Sequence, residues 1–134
     1  MTGQHPQNEK ARLGSFTEFW PFYLSEHRHP RGRFLHYIGT VLSALILLVV
    51  VITGAWLWLP LVLVAGYGPA WAAHFLIEKN RPATFQYPLW SLRGDYRMFG
   101  LAITGRLDDE IDRLSGRNQD GVSERAGPER GAGD

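Results

Sequence analysis

Three histidines and one glutamate are spaced so that folding can gather them: His27, His36, His74 and Glu78. Several imidazoles plus a carboxylate, in a chain with no cysteine at all, make a ligand set for zinc or non-haem iron(II). The 2-His-1-carboxylate face with open positions suits oxygen-activating iron. A hydrolytic zinc site would instead use metal-bound water as the nucleophile. The residue types alone leave both open. A serine nucleophile is the weaker choice, because Ser25, Ser43 and Ser91 sit in no nucleophile-elbow context.

Gathering them depends on Phe34–Ile77, forty-four residues without one Asp, Glu, Lys or Arg. A bilayer core about 30 Å thick takes roughly 20 apolar residues per helical crossing, so this run fits two crossings. Gly54 ends the first, Leu35–Thr53, and Pro60 suits the first turn of the second. His36 lies seventeen residues back from Thr53, and His74 lies eighteen forward from Trp56. At 1.5 Å per residue both stand about 26 Å from the turn, so antiparallel packing brings them to one level. Glu78 follows His74 by four residues and shares its α-helical face, and His27 precedes His36 by nine. Each residue taken singly reads most simply as a headgroup-level anchor. Their coincidence in height favours a site at one lipid–water boundary.

Composition narrows the classes. The chain has 134 residues and a formal net charge of +1, which fits one domain with tails and argues against a nucleic-acid binder. A mean hydropathy of −0.17 looks soluble only because polar ends dilute the apolar middle. Without cysteine, thiolate metal sites and disulfides are excluded. No short apolar segment precedes residue 33, so a cleaved signal peptide is not expected. No charge falls near a bilayer midplane, which argues against a channel or transporter. Lys10, Arg12, Arg28, Arg31 and Arg33 precede the apolar run, and Lys79, Arg81, Arg93, Arg97 and Arg106 follow it, whereas the turn has no basic residue. The positive-inside rule then puts both termini in the cytoplasm, with Trp56 and Trp58 in the far aromatic belt and Tyr87 and Trp90 in the near one.

Residues 1–13 are polar and read as a disordered tail. In Gly14–His27, Phe16, Phe19, Trp20, Tyr23, Leu24 and His27 form one helical stripe, with Ser15 and Glu18 placed as a capping box. Such a stripe predicts docking on the membrane surface or packing. Pro69 predicts a kink in the second apolar helix, and Gly66, Gly68, Ala70, Ala72 and Ala73 permit close helix contact. Beyond the Asn80–Trp90 loop, Leu92, Tyr96, Phe99 and Ile103 repeat at helical spacing beside Arg93 and Arg97, predicting a helix in the interface. From 108 to 134, twelve of twenty-seven residues are charged and five are Gly, which predicts a second disordered tail. The expected architecture is an all-α membrane protein whose membrane domain spans residues 14–107: a two-helix transmembrane hairpin flanked by interfacial amphipathic helices.

Phe22–Thr40 (FYLSEHRHPRGRFLHYIGT), Gly66–Phe85 (GYGPAWAAHFLIEKNRPATF) and Tyr87–Phe99 (YPLWSLRGDYRMF) closely resemble a small membrane-protein family long labelled only as a domain of unknown function. That family includes the fungal 2-hydroxy-palmitic acid dioxygenase of phytosphingosine breakdown, and the resemblance covers about Phe16–Leu107. It implies an Fe(II)-dependent enzyme that uses O₂ to shorten a long-chain 2-hydroxy fatty acid by one carbon, lost as CO₂. By position, the family's first histidine pair matches His27 and His36, its HxxxE matches His74 and Glu78, and its R-P-A matches Arg81, Pro82 and Ala83. Where the family often has Asn, five residues after the first His, this chain has Gly32.

The resulting expectation is an iron-dependent dioxygenase with His27, His36 and His74 as ligands. Glu78 is either a fourth ligand or a partner that holds an imidazole tautomer. Arg81 is the expected partner of the substrate carboxylate, and the acyl chain is expected along the Gly/Ala groove of the hairpin. The expected partners are the 2-hydroxy acid, O₂ and membrane lipid, with a homo-oligomer left open. The host membrane would be the inner membrane in a bacterium or the endoplasmic reticulum in a eukaryote. The rival readings are a non-enzymatic lipid-binding or organising membrane protein and a zinc-dependent lipid hydrolase.

Overall fold

The structure, a computed structural model, describes residues 12–125, and among these every regular element is helical. Helix α1 spans Phe16–Ser25, α2 Pro30–Thr53, α3 Leu59–Ala72, α4 Pro88–Ile103 and α5 Leu107–Arg125. A 3₁₀ turn at Trp56–Trp58 leads into α3, a π-helical segment at Ala73–Glu78 continues it, and a 3₁₀ turn at Ala83–Phe85 precedes α4. The ends carry the local chemistry the sequence announces. Ser15 caps α1 by accepting the Glu18 N–H at 3.2 Å. Pro30 opens α2, where its missing N–H costs nothing, and Gly54 closes it in the left-handed region at φ 68°.

Helices α2 and α3 pack along one another so closely that a Cβ on Gly39 would stand 2.6 Å from the Gly66 carbonyl oxygen. Gly39→Ala therefore sets a helix-propensity gain of about 1 kcal/mol against overpacking of roughly 1–3 kcal/mol on rigid backbone. The expected net is a loss of up to about 2 kcal/mol, read as a lower thermal midpoint in detergent. Stabilisation by this substitution would mean the contact is looser than described. Both apolar segments, Pro30–Thr53 and Trp56–Glu78, are long and apolar enough to cross a membrane, and only 22% and 17% of their most apolar windows are buried. Leu45, Leu48, Ile52, Leu63 and Val64 all point outward. An apolar band of that extent is far larger than the patches soluble monomers leave in water.

Of the two readings of the α1 stripe, packing is the one observed. The α1 stripe is not laid on a surface: Phe19, Trp20, Tyr23 and Leu24 are buried in a core with Ala83, Met98 and Leu107. Tyr87 and Trp90 stack on each other and pack at a tilt against Phe19 in the same core. Helix α4 passes Gly94 beneath the Tyr23 ring, where a Cβ would come within 2.9 Å. Its Leu92, Tyr96 and Ile103 are exposed, while Arg93 and Arg97 lie over the rings of Phe16 and Trp20 at 4.1 and 4.5 Å.

The charged segment from Asp108, expected to be disordered, is helical through Arg125. The reason is an apolar edge that a count of charges hides: Leu107, Ile111 and Leu114 recur at helical spacing and pack on the core. Asp108, Asp109 and Glu110 also favour the positive end of the helix dipole. Of the tail expected over 1–13, Arg12 and Leu13 are described, and the Leu13 N–H donates to the Tyr87 hydroxyl at 2.9 Å. Residues 1–11 and 126–134 lie outside the described residues.

Glu110 pins α5 to the core, accepting from Trp20 Nε1 at 2.8 Å and from Arg113 at 2.8–3.0 Å. Burial works against its carboxylate. The Trp20 and Arg113 hydrogen bonds, with the charges of Arg113 and Arg97, outweigh that and hold its pKa below the usual range. A carboxyl group depressed on folding adds stability above its unfolded pKa and loses it as pH falls through the folded value. Glu110→Gln should therefore lower stability by about 1 kcal/mol at pH 7. The difference from wild type should shrink on acidification through the carboxyl range, as measured by thermal unfolding. A pH-independent difference would deny the carboxylate this role.

Candidate metal centre

His27 follows α1 directly, in the short link to α2 that its own N–H helps to close by donating to the Leu24 carbonyl at 3.1 Å. His36 sits two turns into α2. His74 sits in the π-helical segment, where the Lys79 backbone turns left-handed at φ 55° and donates back to the His74 carbonyl. The wider π turn follows Pro69, which cannot donate within α3.

The structure brings these three imidazoles together and buries them, with 1%, 4% and 3% of their surfaces exposed. One ring nitrogen from each lies within 4.8 Å of the others. The ring centroids of His36 and His74 are 5.0 Å apart, and those of His27 and His36 are 4.4 Å apart. Residues forty-seven and nine positions apart in sequence thus share one pocket.

The outer nitrogens settle the tautomers. His27 Nδ1 is 2.6 Å from the Tyr23 carbonyl oxygen, which can only accept, so Nδ1 carries the proton. His36 Nδ1 donates to Asp95 Oδ1 at 2.9 Å, an oxygen that also accepts from the Tyr23 hydroxyl. His74 Nδ1 donates to Asn80 Oδ1 at 2.7 Å. The Asn80 amide is itself oriented, because its Nδ2 donates to the Glu26 carbonyl at 2.9 Å.

All three rings, when neutral, therefore keep their hydrogens outward and leave Nε2 as a lone pair. His27 Nε2 and His36 Nε2 face each other at 3.1 Å. Two lone pairs at that distance repel unless a cation or a proton lies between them. Two nitrogens about 2.1 Å from one ion at near right angles are about 3 Å apart, so the donor set fits a metal. Burial, then the neighbouring His36, holds the His27 pKa well below its ordinary value, which keeps its Nε2 available at neutral pH. Burial, then the Asp95 charge, raises the Tyr23 pKa well above that of a free phenol, so Tyr23 stays a donor.

Glu78 is placed elsewhere. Its Oε1 accepts the His29 N–H at 2.9 Å, and its side chain fills the space over Gly32, where a Cβ would stand 2.7 Å from that oxygen. It is not among the residues whose ligand atoms cluster. Its expected alignment with His74 assumed α-helical turns, and the π segment changes that register. Arg81 is exposed and lies over the Phe85 ring at 5.2 Å, in a cleft that also contains Glu26 and Tyr87 but none of the three histidines.

Asp95, Asn80 and Tyr23 are the partners that reading for ligands passed over. A signal for Asp95 existed: it is the sole acidic residue between Glu78 and Asp108.

Beside the centre, a cavity of about 180 Å³ runs between α2, α3 and α4, from Leu47 and Leu63 past Ser43, Gly66 and Tyr96 to Asp95. A sequence model of the family described as 2-hydroxy-palmitic acid dioxygenase Mpo1-like matches residues 13–107. No curated protein and no solved structure matches the chain.

Proposed function

The chain belongs to the 2-hydroxy-palmitic acid dioxygenase Mpo1-like family, and from that membership we propose that it is a membrane-embedded, iron-dependent dioxygenase of long-chain 2-hydroxy fatty acids. The observation that carries the reading is the buried trio of Nε2 lone pairs, two of them 3.1 Å apart, within the family-matched segment. His27, His36 and His74 would hold the metal, and bound Fe(II) would supply the activation of O₂. The balanced reaction is 2-hydroxy acid plus O₂ giving the fatty acid one carbon shorter, CO₂ and water.

The protein's own residues perform the positioning. Tyr23 and Asp95 orient His36, Asn80 orients His74, and the Tyr23 carbonyl orients His27. Burial of all three rings excludes bulk water. Glu78 is assigned to the link between α1 and α2, which it ties at His29, and not to the metal. In this reading α2 and α3 form a transmembrane hairpin with both ends cytoplasmic. The Gly39–Gly66 contact closes the Gly/Ala seam at that point, so the acyl chain is placed beside it. It enters the neighbouring cavity that ends at Asp95.

The test is oxygen consumption by detergent-purified, Fe(II)-loaded protein on addition of 2-hydroxypalmitate. Uptake of one O₂ per CO₂ released is expected. Lipid hydrolysis without oxygen uptake would make it a zinc hydrolase, a reading that three imidazole ligands also suit. Neither activity would leave a non-enzymatic membrane protein.

A further inference from the structure

A second cavity, of about 290 Å³, lies between α1 and α5, bounded by His27, Arg28 and Arg33 on one wall and by Ile111, Leu114 and Ser115 on the other. Arg33 Nη1 donates to the His27 and Arg28 carbonyls, both at 3.1 Å, and Arg28 Nε donates to the Ser25 carbonyl at 3.0 Å. Those bonds fix both guanidinium groups yet leave most of their N–H fork unused. Among the described residues neither is paired with a carboxylate. Two uncompensated cations thus stand beside a nearly fully buried imidazole, under an apolar cover. That cover is α5, which begins where the family match ends.

We propose that this cavity binds the carboxylate of a single-chain fatty acid, with Arg28 and Arg33 as its cationic partners and α5 as the apolar cover that keeps bulk water from the carboxyl group. The proposal rests on the dioxygenase reading for the identity of the acid. Guanidinium groups match a carboxylate in shape and charge, and a cavity of this size takes a carboxyl end more readily than a two-chain glycerophospholipid. The two cavities meet the centre from different sides: one is lined by Asp95, the partner of His36, and the other by His27 itself. An acid held by both has its second carbon between them, at the imidazoles. Arg81, expected to take the carboxylate, faces Phe85 in a different cleft.

The test is equilibrium binding of radiolabelled palmitate, which lacks the reactive hydroxyl, and of its methyl ester to the full-length protein in detergent. Wild type should bind the acid about tenfold or more tightly than the ester. Ser115→Asp sets a carboxylate on the opposite, solvent-reachable wall and should abolish that preference. Ser115→Asn, of the same size without charge, should keep it. Equal affinity for acid and ester in wild type, or a preference indifferent to Ser115→Asp, overturns the proposal. So does displacement of palmitate by phosphatidylglycerol nanodiscs as effectively as by palmitate itself, which would assign the cavity to a phospholipid headgroup. Acid preference in a protein that consumes no oxygen ends the dioxygenase reading and keeps the carboxylate site. Oxygen uptake without acid preference does the reverse.

Discussion

His36→Ala is expected to weaken metal retention by roughly 10²- to 10³-fold, on the scale set by structural zinc sites, whose binding of about 10–16 kcal/mol is shared over four donors. His74→Ala should match it, and oxygen uptake should fall with metal content in both. A trivial loss of fold is separable from loss of the centre. Metal bound only by the native state stabilises it by about 2.7 kcal/mol at a hundred times its Kd. Wild type should therefore gain thermal stability on adding Fe(II), and neither variant should. The metal-free His36→Ala protein loses a buried ring, but it also loses the 3.1 Å face-off with His27, so its midpoint should stay near that of metal-free wild type. A variant that keeps the metal-dependent shift would remove His36 from the ligand set.

Asp95→Asn should cost about 10- to 100-fold in metal affinity, the range for partners that orient a ligating imidazole. The carboxylate accepts from His36 Nδ1 and from the Tyr23 hydroxyl at one oxygen. An amide in its place offers that oxygen without charge, or turns an NH₂ toward one of two donors. Either outcome weakens the hold on the Nδ1–H tautomer and makes Nε2 a poorer donor. Tyr23→Phe removes one of the two hydrogen bonds and leaves the carboxylate, so its effect should be smaller, about 1 kcal/mol. Titration with Fe(II) followed by metal analysis reads both. Equal losses in the two variants would mean that the phenol, not the carboxylate, orients His36.

The level shared by His36 and His74 could be read from the sequence because it depends only on a constant rise per residue and a turn fixed by Gly54 and Pro60. The rings do meet. Glu78 escaped the same count because the helix changes pitch at Ala73, and no periodicity argument anticipates a π segment set off by a proline four residues earlier. Asp95 reaches His36 across fifty-nine residues through the packing of α4 on α1 and α2, and that packing rests on a glycine under Tyr23. Such a contact leaves no mark in local composition. Helix α5 was hidden for the opposite reason: its charges dominate its composition, while its stability comes from three apolar side chains and one carboxylate bonded to Trp20.

The most direct measurement is the metal content of the full-length protein, purified in detergent without exposure to oxygen. Three imidazoles that turn their lone pairs inward predict close to one iron per chain, retained through gel filtration. Wild-type protein that emerges with no iron, and that takes up none when Fe(II) is supplied, would contradict the metal centre and the chemistry assigned to it.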